Sequence, residues 1–175
     1  MSNFPSDLVP SDLVRAIRGV VFDVDGVLTD GRITYTDDGH ELKSFHVQDG
    51  ASIKLLMENE IAVGIITGRR SPIVAKRARE LGISHVIQGA TDKPTALDQL
   101  IAEGFPDDNL AAIGDDLQDL KLFAHTAVSC PITVPNGHPY VVTATAWVTE
   151  RAGGQGVAAE VTQQILSAKD RWPPG

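Results

Sequence analysis

Short runs of apolar residues alternate along the chain with segments whose apolar residues recur every three or four positions. The short runs predict strands over 19–24, 61–67, 85–87, 110–113, 127–129 and 147–149. The periodic segments predict helices over 49–59, 72–81, 93–103, 117–124 and 157–168. Because strands alternating with helices form a parallel sheet, the pattern predicts a Rossmann-like α/β fold with helices on both faces.

The connection after the first strand contains a predicted β-hairpin. Two runs of rough alternation, 32–35 and 41–47, flank a polar segment that contains the pair Asp38-Gly39. An Asp-Gly pair between alternating runs is a strong hairpin signal. We therefore expect a hairpin flap between the first strand and the first helix. The length of 175 residues predicts one domain over 1–175, with its core at about 15–168.

Charge and cysteine content exclude some classes of protein. The net charge is −8 and no basic stripe is present, which argues against a nucleic-acid surface. No apolar run approaches the length of a membrane span, and residues 1–18 lack the pattern of a secretory signal. A single cysteine, Cys130, excludes an internal disulfide and is expected in the core. We expect a cytoplasmic protein that binds neither membrane nor nucleic acid.

Polar residues follow several of the predicted strands where each strand ends. Asp23 and Asp25 end the first strand, and the segment 67–69 (Thr-Gly-Arg) ends the second. Lys93 begins a helix, and the segment 114–116 (Gly-Asp-Asp) follows a later strand. Since the carboxyl ends of parallel strands lie at one edge of a sheet, these pieces are expected to form one site.

This set of side chains suits phosphoryl transfer. Asp23 and Asp115 offer the oxygen ligands that magnesium prefers, and a divalent cation removes the repulsion between carboxylate and phosphate. Thr67 and Lys93 can bind the phosphate oxygens as charge develops on them. Covalent attack by Asp23 would divide hydrolysis into two steps, with Asp25 as general acid and then general base.

Each piece by itself also has an ordinary structural explanation. An Asp-x-Asp pair often forms a turn, Lys93 alone is more often a solvated helix residue, and Asp115 could cap a helix. An EF-hand is excluded because Thr34, not glutamate, stands at the twelfth position counted from Asp23. The occurrence of all pieces in order, each at the end of an element, favours the catalytic interpretation.

Other residues carry weaker signals. The glycine-rich segment 153–156 lacks the strand, helix and later acid of a dinucleotide fingerprint. The five histidines show no metal-binding spacing, although His46 lies near the predicted site.

The motifs identify a family resemblance. The chain resembles the haloacid dehalogenase-like phosphatases in all four motifs, and among them it is most similar to the 3-deoxy-D-manno-octulosonate 8-phosphate phosphatases. The resemblance covers about residues 15–168 and rests on the segments 23–31, 65–69, 88–93, 114–117 and 153–156. It implies that Asp23 is the nucleophile and Asp25 the general acid/base, and that Thr67 and Lys93 bind phosphate.

The resemblance also implies a metal site and a substrate site. Asp23, the backbone carbonyl of Asp25, and Asp115 would hold Mg2+. The implied substrate-binding residues are Asp25, His46, Val47, Gln48, Asp49, Gly50, Lys54, Gly68, Arg69, Arg77 and Lys93. The chain departs from the family at Gln48, Lys54 and Ala159, where arginine is usual, so these positions bear on the choice of substrate.

The spacing of the motifs predicts a form without a cap domain. About forty residues separate Asp25 from Thr67, and about twenty-five separate Thr67 from Lys93; the predicted elements fill both gaps. Since phosphoryl chemistry benefits from excluding water, the hairpin could serve as a lid for a neighbouring subunit. Similar enzymes are tetramers built in this way, so we expect a homotetramer.

The expected activity is hydrolysis of 3-deoxy-D-manno-octulosonate 8-phosphate through an aspartyl phosphate, in lipopolysaccharide precursor synthesis. A phosphatase of a nine-carbon 2-keto-3-deoxy acid 9-phosphate is the nearest alternative. A silent partner of a sugar nucleotidyltransferase would be expected to have lost the catalytic acids, which this chain keeps. A phosphotransferase or mutase would usually need a cap, for which neither gap has room.

Overall fold

A computed structural model describes residues 9–174 and gives the bounds of the elements. The strands are β1 Gly19–Phe22, β2 Thr34–Tyr35, β3 Glu41–Leu42, β4 Ala62–Thr67, β5 His85–Gln88, β6 Leu110–Ile113, β7 Val128–Thr133 and β8 Trp147–Val148. The helices are α1 Ser11–Ala16, α2 Val47–Glu58, α3 Pro72–Leu81, α4 Lys93–Ala102, α5 Asp119–Phe123, α6 Pro139–Ala144 and α7 Val157–Ala168. Among residues 9–174, none of the helices combines the length and apolar character that a bilayer crossing requires. The expectation about a secretory signal in residues 1–18 lies partly outside the described residues.

The main sheet is parallel and has the strand order β5–β4–β1–β6–β7–β8. Alternate strand residues face two separate apolar clusters: Val20 and Phe22 join the cluster built with α2, α3 and α7, whereas Val21 joins the cluster built with α4 and α5. Apolar residues on both sides of each central strand are typical of a parallel sheet covered by helices on both faces. The predicted α/β fold is therefore confirmed. No separate cap domain interrupts the described residues between β1 and α4.

The hairpin is shorter than the sequence pattern predicts. Its strands pair in antiparallel register, with Thr34 opposite Leu42 and Tyr35 opposite Glu41. The predicted strand 41–47 is wrong beyond Leu42, because His46 already caps α2: its Nδ1 accepts a hydrogen bond from the Gln48 amide at 3.3 Å. Helix α2 consequently begins at Val47, two residues before the predicted start.

Two short helices and the end of one strand were not predicted. Helices α1 and α6 each have six residues, which is too short for a clear 3.6-residue period. Strand β7 continues through Pro131 to Thr133, although a proline predicts the end of a strand. The proline is tolerated because β8 pairs only from Ile132 onward, so Pro131 has just β6 as a neighbour.

The single thiol lies in the core, as predicted. Cys130 is free, buried and packed in the cluster that also holds Phe22 and Ile132. Burial raises the pKa of Cys130 to about 12, so the thiol stays protonated at neutral pH.

Candidate active site

A tight turn after β1 carries the first two acids. Asp23 accepts a hydrogen bond from the Val24 amide through Oδ1 at 2.7 Å, which fixes its carboxylate at the start of the turn. Gly26 has a φ of 92°, which favours glycine, and a Cβ at this position would overlap the Asp115 carboxylate. The turn therefore needs a glycine so that the acids at the ends of β1 and β6 can approach each other.

Three carboxylates and one ammonium form the centre of the site. Oxygens of Asp23, Asp115 and Asp119 lie within 4.8 Å of one another. The Lys93 Nζ donates to Asp23 Oδ2 at 2.8 Å and to Asp119 Oδ1 at 2.5 Å. The Lys93 side chain is only 2% exposed, so these two carboxylates compensate a buried charge.

The pKa values follow from this crowding. Burial raises the pKa of Asp23 to about 6, and the opposing effect of the Lys93 charge does not outweigh it. Burial, followed by the charges of Asp23 and Asp119, raises the pKa of Asp115 to about 7. Burial alone would lower the pKa of Lys93, but the charges of Asp23 and Asp119 raise it above its usual value. The cluster holds more negative charge than one lysine balances.

Asp119 belongs to the site but was not among the predicted site residues. Its side chain is fully buried, and its Oδ2 accepts the backbone amides of Asp115 and Asp116 at 3.0 Å each. These bonds hold the loop after β6 while Oδ1 holds Lys93. The only signal in the sequence is an acid four residues after Asp115 at the start of a short helix, which is also typical of ordinary helix capping.

The carboxylates fit a magnesium ion. Magnesium is bound through one or two carboxylates with water at the remaining positions. Asp119 already accepts three hydrogen bonds, whereas the pKa of Asp115 is raised by burial and then by the charges of Asp23 and Asp119, which a cation would offset. Asp23 and Asp115 are therefore the side chains best able to hold the cation, while Asp119 holds Lys93 and the loop after β6.

The predicted residues at the end of β4 lie at the same edge of the sheet as these acids, because β4 pairs in parallel with β1. Thr67 is the last residue of β4, is buried, and pairs in register with Gln88 of β5. The next residues, Gly68 and Arg69, leave the sheet toward the hairpin, where Arg69 Nη2 donates to Glu41 Oε1 at 2.7 Å. Against the effect of burial, this hydrogen bond lowers the pKa of Glu41.

Asp25 is held by cations on both of its oxygens. Lys43 Nζ forms an ion pair with Asp25 Oδ1, and Arg69 Nε lies 3.9 Å from Asp25 Oδ2. Lys43 also lies 3.5 Å from Glu41. Sequence reasoning missed Lys43, because a lysine in a short polar hairpin looks like a solvated residue.

The remaining predicted substrate residues lie around the start of α2. His46, Gly50 and Arg77 line a small pocket in which the Arg77 guanidinium lies 5.8 Å from the Phe45 ring centre. Asp49 is buried, and its Oδ1 accepts the Ala159 amide at 3.0 Å.

Three of these predicted positions are open to solvent. Val47 is 81% exposed, and Gln48 Oε1 accepts from Arg151 Nη1 at 3.2 Å. Lys54 is exposed, two turns farther along α2 than Val47.

The glycine-rich segment 153–156 supports the turn after β1. The Gly154 amide donates to the Val27 carbonyl at 2.9 Å, and the Gly153 amide donates to Asn136 Oδ1 at 2.6 Å. Asn136 Nδ2 in turn donates to the Gly26 carbonyl at 3.1 Å. A Cβ on Gly153 would overlap that same carbonyl. The segment therefore fixes the backbone that carries Asp25.

Sequence comparison finds known relatives over most of the chain. A profile of haloacid dehalogenase-like hydrolases matches residues 80–161. The chain is 41% identical over 156 residues to the 3-deoxy-D-manno-octulosonate 8-phosphate phosphatase of Yersinia pestis, covering 89% of this chain and 82% of that protein. It is 40% identical to the enzyme of the same name from Haemophilus influenzae, covering 89% and 86% respectively.

Solved structures agree with the sequence relatives. The Yersinia pestis phosphatase aligns with a TM-score of 0.89 at 39% identity, covering 96% of this chain and 90% of that chain. The 3-deoxy-D-manno-octulosonate 8-phosphate phosphatase of Moraxella catarrhalis, solved with magnesium, phosphate and KDO, aligns with a TM-score of 0.86 at 42% identity. The alignment covers 93% of this chain and 92% of the Moraxella chain.

Proposed function

The chain belongs to the haloacid dehalogenase-like hydrolases, within the 3-deoxy-D-manno-octulosonate 8-phosphate phosphatase family, and on that premise we propose that it hydrolyses this sugar-acid phosphate. The products are the free eight-carbon acid and inorganic phosphate, which places the enzyme in lipopolysaccharide precursor synthesis. The observation that carries the proposal is the buried ion cluster of Asp23, Lys93, Asp115 and Asp119 at the carboxyl edge of the sheet.

Asp23 is the proposed nucleophile. A carboxylate oxygen of Asp23 attacks phosphorus, the bond to the sugar oxygen breaks, and an aspartyl phosphate forms. Asp25 gives a proton to the departing sugar oxygen and then takes a proton from the water that cleaves the aspartyl phosphate. Lys93, with its raised pKa, and Thr67 bind the phosphate oxygens on which negative charge accumulates.

Asp23 and Asp115, together with the backbone carbonyl of Asp25, would hold magnesium. When bound, the cation would offset the repulsion between the carboxylate and the phosphate. Asp119 keeps both partners in place, since it binds Lys93 through one oxygen and the amide of Asp115 through the other.

The substrate assignment rests on the relatives and on the arginine side chains around the site. The arginines that are usual in the family at the positions of Gln48 and Ala159 are absent. Arg151 Nη1 donates to Gln48 Oε1 at 3.2 Å, however, so a cation lies beside the start of α2. An anionic sugar acid needs such cations, so Arg69, Arg77 and Arg151 support the proposed class of substrate.

The test is a comparison of two esters with the purified enzyme and magnesium. We expect a higher kcat/KM for the eight-carbon octulosonate 8-phosphate than for a nine-carbon 2-keto-3-deoxy acid 9-phosphate. A clear preference for the longer acid would replace the proposed substrate while leaving the chemistry unchanged. Asp23→Asn serves as the inactive control, with turnover expected to fall by more than about 10³-fold. Substantial turnover by that variant would remove Asp23 as the nucleophile.

Two other activities have less support. A catalytically silent module would not need a buried lysine shared by two acids, and EDTA-sensitive turnover restored by magnesium would exclude it. A phosphotransferase needs a site for a second acceptor, and no cap domain lies between β1 and α4 in the described chain. Transfer of phosphate to added alcohols at rates comparable to hydrolysis would favour it.

We also propose a homotetramer of single-domain subunits, 1–175, in the cytoplasm. Exposed apolar side chains are concentrated on and near the hairpin, at Ile33, Tyr35, Leu42 and Val47. Such groups are typical of a surface that packs on another subunit. A neighbouring subunit's hairpin would then cover the site and exclude water. A single buried thiol suits a reducing compartment.

A further inference from the structure

The hairpin carries a buried cation that the proposed mechanism leaves without a role. The Lys43 side chain is 2% exposed, although the adjacent residues Leu42 and Ser44 are exposed to solvent. A lysine is rarely buried unless it is paired, because removing an ammonium from water costs several kcal/mol. Its nearest partner is Asp25 Oδ1, and its second is Glu41 at 3.5 Å.

The two buried lysines of the site serve different acids. Lys93 is bound to Asp23 and Asp119, so it lies where the phosphate would bind. Lys43 is bound to Asp25, the acid proposed to act on the departing sugar oxygen. Lys43 is therefore placed on the leaving-group side of the site.

A ring of four alternating charges connects the hairpin to Asp25. Lys43 contacts Asp25 and Glu41, Glu41 binds Arg69 at 2.7 Å, and Arg69 Nε lies 3.9 Å from Asp25 Oδ2. Each Asp25 oxygen thus faces a cation, and both of these cations contact Glu41 of β3. A carboxylate bound from two sides loses the rotational freedom that would let it turn away from the leaving group.

We infer that Lys43 is a positioning residue, which holds the Asp25 carboxyl toward the oxygen of the departing group and makes acid catalysis depend on the hairpin. This inference rests on the proposed phosphatase function. It assigns the hairpin a part in proton transfer, beyond that of a cover. Lys43 itself donates no proton to substrate.

The test compares Lys43→Met with Lys76→Met, a matched change at an exposed lysine of α3. First-turnover release of nitrophenolate from p-nitrophenyl phosphate needs no proton donor, because nitrophenolate is a good leaving group. We expect this rate to stay within about 3-fold of wild type in Lys43→Met. First-turnover release of the sugar acid, or of glycerol from glycerol 3-phosphate, should fall at least about 10-fold, within the 10²–10⁴ that a positioned acid supplies.

A double-mutant cycle tests whether Lys43 acts through Asp25. In the Asp25→Asn background, Lys43→Met should change steady-state turnover of the aryl ester by less than about 2-fold, because the group it positions is already lost. Lys43→Arg, which keeps a cation, should restore part of the sugar-ester rate. Thermal unfolding checks that each variant is folded; if Lys43→Met is not, Lys43→Gln is measured instead.

The outcomes are distinct. Equal losses with both esters in the first turnover, no loss with either, or additive effects in the cycle would overturn the positioning role. A wild-type protein that releases neither nitrophenolate nor sugar acid with magnesium would instead refute the proposed function. Activity on the aryl ester and glycerol 3-phosphate alone would refute only the sugar-acid assignment.

Discussion

Single residues in the site act as pairs of opposite charge whose members hold each other. Lys93 is buried between Asp23 and Asp119, and Lys43 is buried against Asp25. Removing one member of such a pair leaves the other charged and unsatisfied, which costs more than the pair contributes. Substituting one member therefore tests the role of both.

Asp119→Ala should reduce both stability and activity. Its carboxylate is fully buried and holds Lys93 and the amides of Asp115 and Asp116, so its loss should cost about 3–5 kcal/mol of unfolding free energy. Denaturant unfolding measures this cost, and steady-state turnover measures the displacement of Lys93. The matched control is Asp116→Asn at the exposed neighbour, expected within about 0.5 kcal/mol of wild type. Equal effects of the two changes would contradict the assigned role of Asp119.

The raised pKa of Asp115, about 7 against an ordinary 3.8, predicts a pH dependence of stability. Between these values the folded chain binds more protons than the unfolded chain, so this group makes the metal-free protein less stable as pH rises from 4 to 7. In the presence of chelator, the melting temperature should vary less with pH for Asp115→Asn than for the wild-type protein. Magnesium needs ionised carboxylates, so it should raise the melting temperature more at pH 8 than at pH 5. Identical pH slopes for the two proteins would refute the assignment.

The sequence predicts those site residues that directly follow strands. Asp23, Thr67 and Asp115 lie where expected because a parallel sheet leaves little choice for the ends of its strands. Lys43 and Asp119 were missed because burial decided their roles. Each looks like an ordinary surface residue until tertiary packing removes it from water.

At the scale of elements, the loops at the carboxyl edge are fixed by one another. Residues 153–156 lie far along the chain from the turn after β1, yet they bond to Val27 directly and to Gly26 through Asn136. This contact explains a glycine-rich run that matches no nucleotide fingerprint. The elements α3, β6 and α7 were predicted with correct bounds, because the apolar pattern and the flanking signals agree there. The hairpin strands and short helices were not, since their local patterns are weak and their neighbours decide their bounds.

Gly153→Ala should lower kcat, whereas a glycine substitution that only reduces folding stability should not. The added Cβ would overlap the Gly26 carbonyl and displace the backbone that carries Asp25. We expect kcat to fall at least about 10-fold, since misplacement by about 1 Å can cost up to 10²-fold. Gly104→Ala is the control: its φ of 99° should cost about 1 kcal/mol, but nothing lies within 4 Å of its Cβ. Its kcat should be unchanged; equal losses of kcat would contradict the supporting role of Gly153.

At the scale of the whole molecule, the site lies at the carboxyl edge of the main sheet, next to the hairpin. The sheet and its helices supply the acids and Lys93, but no further domain in residues 9–174 covers them. The exposed apolar residues of the hairpin are then best explained by contact with another copy, as in the proposed tetramer.

Analytical ultracentrifugation should give the wild-type protein a mass near four times 18.7 kDa. Replacing Ile33 and Leu42, both more than half exposed, with serine should lower that mass and the turnover. Trp172→Ser, at an exposed apolar residue outside the hairpin, should change neither. A monomeric wild-type protein with full activity would refute both the tetramer and its lid.

The burial of Cys130 has a practical consequence for labelling the hairpin with a fluorophore. Because the only thiol of the chain is enclosed in the core with a pKa of about 12, maleimide reagents will leave the native protein unlabelled. A cysteine introduced at the exposed hairpin turn by Asp37→Cys would then be the one thiol that reacts with maleimide. A fluorophore attached there would test whether the hairpin moves during turnover, with no native cysteine to remove first.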